Sequence, residues 1–463
     1  MILNNAKIYS DGAIREGAIL ISNNIIDSIK FNPSDDDYIT LVKNNRDGLE
    51  LDCEKRIVIP GIIDVHSHLR DMDQSEKETF HTGTKAAAFS GITTVFDMPN
   101  TKPPAINAKQ VKKWMEKAKG NIFVDVGFIS GVPKNINEEE IKKIIDLGVV
   151  GFKIYPLYSL NGIDWTSSEN IQNLLNISSK YKIPIFIHPD WPLSEKEKEK
   201  IFDDQKQKGY NALIFHDKLF PVETELKYIN FIIKNYHNYI NSGNKEPLEY
   251  PIVHFCHVSS KDAYSAISNE IKSNMDYKIT FETTPHHLML NNKLILDNEN
   301  IGKVLPPLRD ELHSNYLFSE LKSGTIDIIG TDHAPHTLKE KNLKYAEAPS
   351  GFPGFETYPL ILLDKVFKNE LSLKNFVKVA SEKPAETFHL NNKGYIKEGY
   401  EADLLIIEKG PEYAINSSLF KTKAKFSPYD GLKTCVLIWK VFLRGQQINL
   451  DDKKSRGKIV IRE

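Results

Sequence analysis

The sequence predicts an α/β protein: a (β/α)8 TIM barrel with a small β-rich domain formed from both chain ends. Three observations lead there. Eight strand-length apolar runs recur through the middle of the chain, separated by stretches long enough for helices. Both ends are instead rich in short strands and turns. Five of the eight runs end in His, Lys or Asp, the end at which barrels carry reactive groups.

Size and composition suit this fold. The 463 residues accommodate one barrel of about 250 residues plus a smaller unit. Hydrophobic residues make up 40% and charged residues 26%, which excludes a largely disordered chain. Sixty basic and 62 acidic residues leave a formal net charge of −2, so no global basic field argues for nucleic acid or an anionic membrane. Three distant cysteines, Cys53, Cys256 and Cys435, make no disulfide framework and point to a reducing compartment. The start, Met-Ile-Leu-Asn-Asn-Ala-Lys, has no apolar signal core. No run reaches the ~18 apolar residues of a membrane span. A cytoplasmic protein without membrane or nucleic-acid partners is expected.

At the beginning, Ala18–Ser22 reads as a strand and Asn23-Asn24 as a turn. At the end, 402–407 and 435–439 read as strands, and Arg444-Gly445 can turn the chain. The expected units are 1–56 and 393–463 for the two parts of the small β domain and 57–392 for the barrel. The barrel strands are expected at 57–65, 92–98, 122–129, 149–154, 184–187, 251–255, 278–282 and 327–330. Amphipathic segments such as 138–147 and 170–181 supply helices between them. The fifth crossover, about 189–250, is long and polar, and its Glu-Lys run at 195–200 reads as a solvated helix face.

The strand ends hold the chemistry. Strand one ends in Asp64-Val65-His66-Ser67-His68-Leu69-Arg70, strand four in Lys153-Ile154-Tyr155, and strand five at His188. Strand six ends in His254-Phe255-Cys256-His257 and strand eight in Thr331-Asp332-His333-Ala334-Pro335-His336. His66 and His68 stand two apart, so both imidazoles leave the same face of a strand and can share a divalent cation. A lone His-x-His pair also occurs without a metal; His188, His257 and Asp332 at neighbouring strand ends strengthen the metal reading. Nitrogen and carboxylate donors together suit zinc or a similar ion. Lys153 lies inside an apolar strand, where an ammonium is expensive. It is either a buried lysine paired with a carboxylate, or an amine that has added carbon dioxide to become an anion able to bridge two cations. Spacing alone does not choose between them.

The string Pro60-Gly61-Ile62-Ile63-Asp64-Val65-His66-Ser67-His68 resembles the opening signature of the cyclic amidohydrolases of the metal-dependent amidohydrolase superfamily. Within that group, Leu69-Arg70, the stretch from Asp97 to Pro104, and Thr331 to His336 resemble the dihydroorotase family, from Asn4 to about Arg444. The resemblance implies a first metal on His66, His68 and Asp332, and a second on His188 and His257. It implies a carboxylated Lys153 bridging them, with Zn2+ as the expected ion. Arg70, Asn100 and His336 match positions that hold the substrate carboxylate, and His254 is structural. Asp332 would carry the proton from the attacking water to the departing ring nitrogen. The implied reaction is the reversible cyclisation of N-carbamoyl-L-aspartate to L-dihydroorotate, in pyrimidine (UMP) biosynthesis. The implied partners are this small-molecule substrate, a second copy in a homodimer and, in some relatives, aspartate transcarbamoylase.

Two departures stand out. Asp71-Met72-Asp73 follows Arg70 where the family often has Glu-Pro-Gly. Leu305, in Lys303-Val304-Leu305-Pro306-Pro307-Leu308-Arg309, stands where many relatives have an Asn that contacts the substrate ring. Hydantoinases and allantoinases are therefore the nearest alternative reading. A non-catalytic scaffold is the more distant one, against which all six ligand positions carry competent residues. The segment from Thr337 to Glu356, with Gly351-Phe352-Pro353-Gly354 near its end, reads either as a mobile cover or as an ordinary surface loop.

Overall fold

The computed structural model describes residues 1–45, 47–242, 245–451 and 456–462. Eight parallel strands follow one another around a barrel in chain order: Ile62–Ser67, Ile92–Asp97, Asp125–Gly131, Gly151–Ile154, Ile185–Ile187, Val253–Phe255, Ile279–Thr283 and Ile328–Ile329. A parallel bridge between Ser67 and His333 joins the last strand to the first. All eight expected runs are present, each within a few residues of its expected bounds. Nearly every strand residue is buried, because helices cover the outside while side chains such as Val65, Phe96, Phe186 and Ile328 fill the interior.

The first run differs from expectation in an instructive way. It is two strands. Ile57–Pro60 pairs with Ile2–Ser10 and Leu404–Ala414 in a second sheet, and the barrel strand begins only at Ile62. The change of sheet occurs at Gly61, whose N–H donates to Asp403 O at 2.8 Å. A Cβ there would lie 2.3 Å from Thr93 Oγ1, so only glycine lets the chain pass. The second sheet is built from both chain ends, in the order 446–447, 433–443, 404–414, 57–60, 2–10, 13–22, 25–31, with 50–52 on the side of 2–10. Its turns fall where Asn23-Asn24 and Arg444-Gly445 adopt positive φ. The last described strand, Ile459–Val460, leaves this sheet and pairs with barrel strand Asp125–Gly131.

The fifth crossover folds as three helices, Glu195–Lys208, Ala212–Leu219 and Val222–Asn241. The first is capped by Ser194 and Glu197 and buries no residue fully, as its Glu-Lys run requires. Arg309 ties this insertion to the barrel through Asp217 at 2.7 Å and Ser259 at 2.9 Å.

Candidate metal and substrate site

The carboxyl ends of the strands surround a cavity of about 560 Å3. His66, at the end of the first strand, and His68, just beyond it, place their rings 5.5 Å apart. Each ring is held through Nδ1 from behind. Glu282, on the seventh strand, takes His66 Nδ1, and Asn100 Oδ1 lies 2.7 Å from His68 Nδ1. Both Nε2 atoms are thereby turned toward Asp332 Oδ1, at 3.5 Å from His66 and 2.9 Å from His68. An imidazole fixed at one nitrogen by a carboxylate or amide and free at the other is the usual arrangement of a metal-ligating histidine.

His188 and His257 form the other half. His188 Nδ1 and His257 Nε2 converge to 2.9 Å, and each ring's remaining nitrogen is buried without a partner. Lys153 is 2% exposed and its Nζ has no hydrogen-bond partner among the described residues, which do not pair it with a carboxylate. The ammonium lies 5.1 Å from the centre of the Tyr155 ring. Orphaned nitrogens on the two cavity-lining histidines and on Lys153, together with a His-His-Asp cluster within 4.8 Å, fit cation ligation by nitrogen and oxygen.

Electrostatics separates the groups. Burial drives His188 down to about 3, with the Lys153 charge adding to it, and drives His68 down to about 4 although Asp332 opposes this. Both are neutral, as a ligand must be. Burial works against protonation of His66 too, but the Glu282 carboxylate outweighs it and lifts this imidazole to about 10, so a cation at its Nε2 would displace a proton. Glu282 falls to about 2, the charges of His66 and His254 overcoming its burial. Asp332 likewise stays far below the usual carboxylate range: burial raises it, and the His68 ring beside it and the His66 charge outweigh that. Asp332, His257 and Arg70 all adopt positive φ, a strain concentrated at this end of the barrel.

Of the three residues expected on the substrate carboxylate, Arg70 and Asn100 line the cavity. Arg70 is 7% exposed, and its hydrogen-bonding neighbours among the described residues are Pro335 O at 3.3 Å and the His336 ring at 3.2 Å. Asn100 uses its carbonyl on His68, leaving its amide NH2 for a ligand. His336 stands behind Arg70 rather than on the cavity wall. Its Nδ1 lies 3.2 Å from Lys77 Nζ, and its Nε2 lies between Ser350 O at 3.0 Å and the Arg70 guanidinium. His336 thus reaches the cavity only through Arg70 and the Ser350 main chain. Leu305 lines the wall with an aliphatic side chain. His254 is buried between Thr280 and Glu282.

Sequence reasoning missed Glu282. It lies in the run Ile-Thr-Phe-Glu-Thr, where a carboxylate on a fully enclosed strand was itself the signal: a buried charge requires partners. Glu282 has three, His66, His254 and the His257 N–H at 3.2 Å. Tyr155 and Lys303 also line the cavity unannounced.

The amidohydrolase family profile matches residues 57–460. The chain is 32% identical to a dihydroorotase of Methanosarcina acetivorans over 99% of its own length and 94% of the relative's. It is 35% identical to a dihydroorotase of Pyrococcus horikoshii, covering 88% and 85%. Among solved structures, L-hydantoinase from Arthrobacter aurescens superposes with a TM-score of 0.86 at 26% identity, covering 100% and 99% of the two chains. Dihydropyrimidinase from Brevibacillus agri, at 22% identity and a TM-score of 0.83, shares the fold. The barrel, the second sheet, the clustered histidines and these matches agree: the chain belongs to the amidohydrolase family.

Proposed function

We propose that the protein is a dihydroorotase, interconverting L-dihydroorotate and N-carbamoyl-L-aspartate. The observation that carries this reading is Arg70: a buried guanidinium on the cavity wall, beside the histidine cluster, with no acidic partner among the described residues. Such a group is costly unless a ligand brings the counter-charge, and its paired N–H bonds match a carboxylate. The Asn100 amide adds a donor beside it. The relatives named dihydroorotase, similar over most of the chain, support the same reading.

His66, His68 and Asp332 would hold one divalent ion and His188 and His257 a second, with a carboxylated Lys153 between them; Zn2+ suits this donor set. When bound, such ions polarise an amide carbonyl and make water acidic enough to act near neutral pH. The chain's own residues do the rest. Arg70 and Asn100 fix the substrate carboxylate, which orients the ring amide toward the histidine cluster. Asp332, ionised and within reach of both Nε2 atoms, accepts the proton of the attacking water and delivers it to the departing ring nitrogen. In the reverse direction it takes the proton from the carbamoyl nitrogen as the ring closes.

One feature favours a hydantoinase as the second reading. The outer part of the cavity is walled by Leu157, Tyr158, Leu160, Phe202, Leu219 and Phe220, and Leu305 offers no hydrogen bond, a setting that suits an apolar ring substituent. Steady-state kcat/KM for dihydroorotate, substituted hydantoins and allantoin separates the two. Dihydroorotate is expected to be the best substrate; preference for a hydantoin would overturn the assignment.

A further inference from the structure

Two buried lysines that the chemistry above does not use lie against residues 345–351 of the cavity lining, and one of them, Lys303, lines the cavity itself. Lys303 is 8% exposed and Lys341 is fully enclosed. Neither makes an ion pair with a carboxylate among the described residues. Their acceptors are main-chain carbonyls. Lys303 Nζ donates to Tyr345 O at 2.8 Å and Ala348 O at 2.6 Å. Lys341 Nζ donates to Pro349 O and Gly351 O, both at 2.9 Å, and approaches Lys303 O at 3.4 Å. The Gly351 N–H closes the circuit by donating to Lys303 O at 2.8 Å.

Every one of these carbonyls except Lys303 O belongs to residues 345–351, the continuous segment that forms one wall of the cavity. Residues 345–347 form a turn in which the Glu347 and Ala348 N–H groups both donate to Lys344 O at 2.9 Å, and from Ala348 to Gly354 the chain is neither helix nor strand. Without the lysines its carbonyls would need water. Because the peptide is planar and trans, turning Pro349 O toward Lys341 points the Ser350 N–H away from the ammonium. The arrangement is also short of negative charge. Glu340, the acidic residue nearest to Lys341 in sequence, is engaged by Lys77 at 2.7 Å. Burial, with no adequate counter-charge, pulls Lys303 to about 8 and Lys341 to about 7.

We propose that Lys303 and Lys341 are positioning residues that fix residues 345–351 as the outer wall of the cavity, and that an anionic substrate completes this wall by supplying the charge they lack. The inference rests on the reading of this cavity as the site of a substrate carboxylate. It differs from the role given to Arg70, since neither lysine need touch the substrate.

The test uses the full chain loaded with zinc, as wild type, Lys303→Met and Lys341→Met. Amide exchange across residues 344–352 is expected to accelerate about tenfold or more in each variant while the barrel strands keep their protection. KM for dihydroorotate is expected to rise about tenfold with kcat within about threefold, the signature of lost binding rather than lost chemistry. Unchanged exchange in this segment overturns the proposal, as does a fall in kcat with KM unaltered. Exchange decides even if wild type does not act on dihydroorotate, an outcome that sinks the functional reading instead. Should Lys341→Met fail to fold, Lys303→Met decides by the same criteria, because it leaves the acceptors of Lys341 in place.

Discussion

Glu282 shows how one residue can set the character of a site it does not line. Its two oxygens bind His66 and His254, and its charge reverses the effect that burial would have on His66. Replacing it with Gln keeps the shape but removes that charge. Glu282→Gln is expected to lower metal affinity about 10–100-fold, the usual effect of losing such an outer partner. Titration of bound zinc with a competing chelator checks this; unchanged affinity would mean that His66 needs no carboxylate behind it. The ligand types were legible in the sequence because His and Asp at strand ends form a recognisable set. Their orientation was not, because it depends on which nitrogen of each ring is held, by Glu282 on the seventh strand and by Asn100 in the loop after the second.

At the scale of elements, the segment after the eighth strand joins the site to the terminal sheet. Its end is packed: His333 stacks on Phe355 at 3.8 Å, and Phe352 and Phe355 are buried. Gly351 and Gly354 therefore act as points of close approach, not as free hinges; a Cβ on Gly351 would meet Ala334 O at 2.6 Å. Glu356 anchors the segment by accepting from the Lys421 N–H at 2.7 Å and the Thr422 N–H at 3.1 Å. Burial raises this carboxyl from 4.5 to about 7. Its folded value lies above its unfolded value, so the folded state binds the proton more tightly. Stability from this group is full below about 4.5 and is lost as pH rises toward 7. Glu356→Gln, which cannot ionise, is expected to show a shallower decline in unfolding free energy between pH 5 and 7 than wild type. Denaturant titrations at pH 5, 6 and 7 measure it, and identical slopes would contradict the assigned cause.

Across the whole molecule, a buried ionic network joins the barrel to the chain ends on the side away from the cavity. Lys393 Nζ binds Asp125 at 2.9 Å and Glu401 and Asp403 at 2.6 Å. Arg444 also binds Asp125, at 2.6 Å, and the Lys458 N–H donates to it at 2.8 Å, next to the strand 459–460. Lys393→Met would leave three carboxylates crowded around too little positive charge, at a cost of about 3–5 kcal/mol. Thermal unfolding is expected to show this loss while kcat/KM and metal content hold; a midpoint unchanged from wild type would deny the network its structural role. The barrel itself was legible because its strands are short, mostly apolar runs, recurring between helix-length stretches, the pattern of a sheet covered on both faces. The switch of sheet at Gly61 and the return of residues 459–460 to the barrel were not, because both depend on distant partners: Thr93 and Asp403 in one case, Val126 and Gly127 in the other.

Lys153, a buried amine with no hydrogen-bond partner among the described residues, decides whether two cations can be held here. A crystal structure of protein grown with zinc and bicarbonate, with anomalous scattering at the zinc edge, addresses it directly. The expected map shows two metal peaks, one against His66, His68 and Asp332 and one against His188 and His257, with carboxylate density extending from Lys153 Nζ to both. A bare ammonium at Lys153 with no metal beside it would contradict the account.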